Sequence, residues 1–134
     1  MIDPSLAVQK AIRTGLINAN PPPVDPASIL DKSIDPISFP AVIVGDGQVV
    51  PDRISYTNMA FRVYSDVVIW TKSDNLSNVK QVVGTIIGAL DGYNFECSEF
   101  NVINVQLSHV RYLREPSSEL SRAIVSYEFL LEKV

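Results

Sequence analysis

Residues 61–90 leave this chain few ways to fold. Phe61-Arg-Val-Tyr-Ser-Asp-Val-Val-Ile-Trp-Thr-Lys72 reads as a long strand. Phe61, Val63, Val67 and Ile69 share one face, while Tyr64, Val68 and Trp70 make the other face apolar as well. A strand of that kind belongs in the middle of a sheet with cover on both sides. Only two helices can be read in the sequence, so a partner subunit is a natural source of the second cover. After Ser73-Asp74-Asn75 comes a helix in which Leu76, Val79, Val82, Val83, Ile86, Ile87 and Leu90 form one broad apolar face. Gly92 is placed to end it. Gly84 and Gly88 lie on the opposite side with Ser77, Lys80 and Gln81. An interior glycine costs about 1 kcal/mol relative to alanine. The Gly84-x-x-x-Gly88 spacing therefore marks either a groove that admits another backbone or a solvent face on which glycine is tolerated.

The remainder hangs from that unit. Asp3 is placed to cap a first helix with Pro4 at its first position, and Val8, Ala11, Ile12, Gly15 and Leu16 follow helical spacing. Pro21-Pro22-Pro23 forbids its continuation. Residues 19–40 form a long proline-rich stretch punctuated by Ile29, Leu30, Ile34 and Ile37. It reads as a loop packed on its own domain or as an arm that docks on a neighbour. Phe39 to Val50 is a strand interrupted at Gly45-Asp46-Gly47, where the letters fit a hairpin turn or a glycine bulge. Val102 to Leu113 is a strand in which Ile103, Val105 and Leu107 share one parity and Val110 and Tyr112 the other, so a bulge is expected near Ser108-His109. The last strand alternates cleanly, with Ala123, Val125, Tyr127, Phe129 and Leu131 inward. The expected architecture is one α+β domain over residues 1–134. It has a single mixed, mainly antiparallel sheet of four to five strands, with two helices on one face. Parallel strands 61–72 and 102–113 would make the helix between them a crossover.

Composition narrows function mainly by exclusion. The net charge is −4, from 11 basic and 15 acidic residues, and acids interleave the densest basic group, Arg111, Arg114 and Arg122. Tight DNA binding is not expected of such a surface. No apolar run approaches the roughly 18 residues of a membrane span, and no signal segment is legible, so cytoplasmic assembly is the expectation. One cysteine and one histidine make neither an intrachain disulfide nor a zinc site. His109 lacks a nucleophile motif and Cys97 lacks a basic neighbour, while Asp25, Asp31, Asp35, Asp46 and Asp52 read as turn formers. No phosphate loop or dinucleotide fingerprint is present, and neither an enzyme nor a cofactor is expected.

Three stretches carry a family resemblance: Phe39-Pro-Ala-Val-Ile-Val-Gly-Asp-Gly-Gln-Val-Val50, Asp66-Val-Val-Ile-Trp-Thr-Lys-Ser73 with the helix after it, and Val110-Arg-Tyr-Leu-Arg-Glu-Pro116 with Ala123 to Glu132. In this order and spacing the chain resembles the tail-completion, or tail-terminator, proteins of long-tailed bacteriophages, prophages and gene transfer agents. The shared features are Phe39-Pro40, Trp70, and the turn built from Arg111, Arg114, Glu115 and Pro116. Residues 19–38 depart from the family by being longer and richer in proline. The resemblance implies a structural protein that forms a ring, typically hexameric, on the head-proximal end of the tail tube. It implies contacts with further copies of itself, with the tail-tube protein and with the head-tail connector or stopper. The isolated protein is compatible with a monomer. In a cyclic ring two different patches must be sticky. The residues expected in them are Ile29 and Leu30 of the long loop, Asp46 and Gln48, Gly84 and Gly88, and Arg111, Arg114 and Glu115. The alternatives are a head-closure or connector component and, from a different class, a monomeric ligand-binding domain.

Overall fold

A computed structural model describes residues 1–30, 39–52, 59–72, 76–114 and 119–134. In chain order these form α1 (Pro4–Ile17), a short 3₁₀ turn (Pro26–Ser28), β1 (Ile29–Leu30), β2 (Ala41–Asp52), β3 (Ala60–Thr71), α2 (Leu76–Leu90), β4 (Phe100–Arg114) and β5 (Ser121–Lys133). The strands make one sheet in the order β1-β2-β3-β5-β4. All neighbours are antiparallel except β1 and β2. β3 and β4 both run antiparallel to β5, so they are parallel to each other and α2 connects them.

The helices form where the sequence places them. The Asp3 carboxylate accepts from the Ser5 backbone N–H at 2.8 Å and from its hydroxyl at 2.6 Å, and Pro4 opens α1. These bonds hold the Asp3 carboxyl below its usual pKa, the hydroxyl bond contributing most. Gly92 adopts φ of 68° just beyond α2, the left-handed conformation that ends helices and suits glycine. Ala7, Val8, Ala11, Ile12 and Leu16 of α1 and Val79, Val83, Ile86 and Leu90 of α2 share one buried cluster. Their strand partners in it include Val42, Val44, Val63, Val67, Ile69, Val125, Phe129 and Leu131. These strand residues lie on one face of the sheet by register, so both helices cover that face. Gly15 lets the two helical ends approach, because a Cβ there would stand 3.0 Å from the Tyr93 ring and 3.2 Å from Leu90. Tyr93 and Phe95 fold beneath α2 and stack edge-on, Phe95 against Phe129 at 5.0 Å.

One open alternative is decided here and one expectation is corrected. Gly45-Asp46-Gly47 is no hairpin turn. Val44 pairs with Val67 and Gly47 with Ser65, so β2 continues past the interruption on the same partner and the glycines form a bulge. Pairing with β3 on both sides decides between two structures that the letters alone allow. In β4 the expected slip lies between Leu107 and His109, but a second one lies between Val102 and Asn104. Ile103 is therefore the extra residue of a bulge and does not share the inward parity of Val105 and Leu107.

Gly47 is fixed by close packing, since an added Cβ would lie 2.5 Å from the Tyr64 carbonyl oxygen. Gly45 has only a 3.7 Å contact to Ile43. Gly47→Ala is expected to destabilise the fold by about 1–3 kcal/mol, and Gly45→Ala to change it by less than about 0.5 kcal/mol. Urea denaturation of the two variants measures both.

Candidate functional site

Among the described residues both helices lie on one face, and the other side of the sheet carries none. Register aligns its residues in rows that cross the strands. Ala41, Trp70, Arg122 and Leu113 form one row, and Ile43, Val68, Ile124 and Arg111 the next. Asp66, Ser126 and His109 follow, then Gln48, Tyr64, Glu128 and Gln106. The face is thus apolar at one end and polar at the other. At the apolar end the Arg122 guanidinium lies 5.2 Å from the centre of the Trp70 ring, a cation–π contact. At the polar end Arg62 donates to Asp52 at 2.7 Å and to Glu128 at 2.5 Å. Between them the Ser126 hydroxyl donates to Asp66 at 2.6 Å. A shallow depression of about 390 Å³ lies over this middle ground, lined by Gln48, Tyr64, Asp66, His109, Arg111 and Ser126.

The structure separates the residues singled out in the sequence. Gln48 and Arg111, far apart in the chain, meet in that depression. Leu30 is half-buried on the same face, level with Ile43 and Arg111, because Leu30 pairs with Ile43 and the row continues through Val68 and Ile124. Ile29 points the other way and is fully buried in the chain's own core. It packs with the domain's own core, as a loop packed on its own domain would. Arg114 ends β4 and is exposed, whereas Glu115 lies outside the described residues. Asp46 sits within the β2 bulge. Gly84 and Gly88 are exposed on α2, and a Cβ at either would meet nothing within 4 Å.

The edges of the sheet differ. At the first edge β1 is two residues long, the Gln9 side chain donates to the Val44 carbonyl at 3.1 Å, and Arg13 donates to the Ile29 carbonyl at 3.2 Å. At the second edge β4 runs for 15 residues, about 50 Å of strand. Among the described residues it has no neighbour beyond β5. Ile103 is 46% exposed, Leu107 38% and Tyr112 37%. Sequence reasoning missed this edge: Leu107 and Tyr112 face the helix side by register, and although the Lys80 ammonium of α2 lies 5.2 Å from the centre of the Tyr112 ring, both stay more than a third exposed. A groove of about 870 Å³ remains between the end of α2 and the first half of β4, lined in part by Ile87, Phe95, Val102, Val105 and Leu107.

Among the described residues, the histidine and cysteine singled out in the sequence stand apart from each other. His109 is exposed and its Nδ1 lies 3.2 Å from the Ser108 hydroxyl. Cys97 is buried, and burial pushes its thiol up to about 11. Among the described residues no three His, Cys, Asp or Glu side chains are grouped to hold a metal ion. No helix among them is long and apolar enough to cross a membrane.

Among the described residues the sheet thus has one helix-free face and one open edge. The family model described as "Tail completion protein gp17" matches residues 7–132. The chain belongs to that family. It is a structural protein of a virion tail, as its resemblance in sequence implied. The fold is similar to a chain in a structure described as "Virion of native gene transfer agent (GTA) particle", with a TM-score of 0.84 and 15% identity. That match covers 98% of this chain and 99% of the other. No curated relative matches.

Two outcomes follow for this family member. Cys97 should resist alkylation at neutral pH while folded and react only after unfolding, which mass spectrometry with and without urea reads directly. Gly84→Ala and Gly88→Ala should each stabilise the isolated chain by up to about 1 kcal/mol. If the same variants lose assembly, the glycine face receives a partner; if assembly is unchanged, it is a solvent face.

Proposed function

We propose that this chain caps the head-proximal end of the tail tube as a ring, stops tube-subunit polymerisation there and presents the surface to which the head joins. The observation that carries this reading is the family match across residues 7–132. A domain with a long uncovered strand edge and a helix-free sheet face supports it, since both are surfaces a monomer has no use for. The action is geometric: the ring occupies the tube end, and no bond in a substrate is made or broken. Six copies is the ring size that the family resemblance favours. The partners are further copies of the chain, the tail-tube protein and a head-tail connector or stopper. The Gln48–Arg111 depression, the β2 bulge at Asp46 and the Arg114 end of β4 are the contact regions assigned here. A head-closure component of the connector is the second reading, favoured by the same fold and separated by which end of which tube it binds.

The test is assembly. Purified chain added to polymerising tube subunits should arrest tube growth and appear at one tube end by electron microscopy. Arg114→Glu should leave the thermal unfolding of the isolated chain within about 0.5 kcal/mol of wild type and lower the yield of joined particles. Normal joining by that variant would remove the end of β4 from the contact surface. Tubes that grow unaffected and uncapped would move the assignment to a connector or to a ligand-binding domain.

A further inference from the structure

We infer that Glu99 is a clasp: its side chain fastens the residues ahead of α1, and its backbone holds the end of β5. Among the described residues Glu99 is the only one other than glycine with a positive φ, at 67°. It stands in a tight turn, where Cys97 and Phe100 form an isolated bridge and the Phe100 N–H donates to the Cys97 carbonyl at 3.1 Å. Ser98 and Glu99 are the central residues of that turn. A positive φ at the second of them is the pattern of a type II turn, a position suited to glycine or asparagine. A glutamate held there carries backbone strain, because its Cβ crowds the following carbonyl. Glu99 is also exposed, so core packing does not impose the conformation.

Two hydrogen bonds offset the strain. The Glu99 carboxylate accepts from the Ile2 backbone N–H at 2.6 Å, across 97 residues of sequence. The Glu99 carbonyl accepts from the Val134 N–H at 3.1 Å, just past β5. Beside it the Lys133 N–H donates to the Met59 carbonyl at 2.8 Å, which ties the approach to β3 to the same corner. Ile2 is half-buried against the core and stands one position before the Asp3 cap of α1. An apolar residue at that position sets the angle at which the chain enters the helix. A carboxylate near the first turn also suits the positive end of the helix dipole. Ile2 further lines a cleft of about 520 Å³ between α1 and residues 93–98, with Ala7, Lys10, Tyr93, Glu96 and Ser98. The residues before α1 are thus a strap, drawn against the turn by Glu99 and held in the wall of that cleft. The turn itself would favour glycine or asparagine, but glycine has no acceptor and the asparagine side chain is one methylene shorter. Reach to Ile2 is what a glutamate adds.

The test uses the full chain with Glu99→Ala, Glu99→Gly and Glu99→Gln. In the wild type the Ile2 amide is expected to be ordered, with an NMR order parameter of about 0.8 or more, and in Glu99→Ala to fall below about 0.6. The amides of Val83 and Ile86 in α2 should keep their wild-type values, which separates release of the strap from a general loss of stability. Glu99→Gln keeps an oxygen acceptor at the same reach and should retain the order at Ile2. In urea, Glu99→Gly should unfold at a higher concentration than Glu99→Ala, because both lose the acceptor and only glycine is free of the strain. An Ile2 amide as ordered in Glu99→Ala as in the wild type would overturn the clasp. An alanine variant at least as stable as the glycine variant would overturn it too, since the turn would then hold no strain for the bonds to offset. None of these measurements involves tube capping, so the result is independent of the ring reading.

Discussion

The pairing of β3 with β2 on one side and β5 on the other is the constraint from which the rest of the structure follows. It places the most apolar strand of the chain at the centre. It also aligns Val44, Val67 and Val125, with Ile69 and Phe129 nearby, into one continuous apolar floor. A floor of that kind must be covered, at about 25 cal/mol for each Å² of apolar surface removed from water. α1 and α2 both go there, and neither remains for the other face. The helix-free face is thus a consequence of helix number, and the apolar character of Val68, Trp70 and Ile124 on it is what sets this sheet apart from an ordinary solvated one.

Much of this was legible because periodicity reports burial. Both helices, β3, the inward set of β5 and the slip near Ser108 could be read from spacing, since each pattern is long enough to exclude the other period. What could not be read depends on partners distant in sequence. Gly45-Asp46-Gly47 suits a turn or a bulge equally, and only the continued pairing of Gly47 through Asp52 with β3 chooses. β1 is too short to have a period, so Ile29 read as part of a packed loop or a docking arm when it is a strand residue of the core. The openness of β4 depends on how far α2 reaches across the sheet, and nothing in the sequence says which strands lie beneath the helix.

The candidate surface was legible in the same uneven way. Gln48 and Arg111 were singled out for unrelated reasons, one for a turn and one for a family motif, and the register joins them in one depression. The Arg122–Trp70 contact, the Asp66–Ser126 bond and the Arg62 ion pairs lie between strands that are distant in the chain. No local pattern announces such pairs. Gly84 and Gly88 had the spacing of a helix-packing motif, yet the helix contact inside the chain uses Gly15.

A long strand edge invites uncontrolled association unless something limits it. The β1–β2 side is limited by a short strand, a bulge, Pro51 and two side chains of α1 that occupy edge carbonyls. The β4 side has two bulges and two arginines. Bulges bend a strand and increase its twist, which opposes flat stacking of many sheets while leaving side-chain contact available. The arginines repel a second β4 and attract an acidic surface. An edge so equipped resists pairing with a second copy of itself. Under the proposed capping role such selectivity would hold the subunits to one layer, because an edge that accepted any strand would continue to grow.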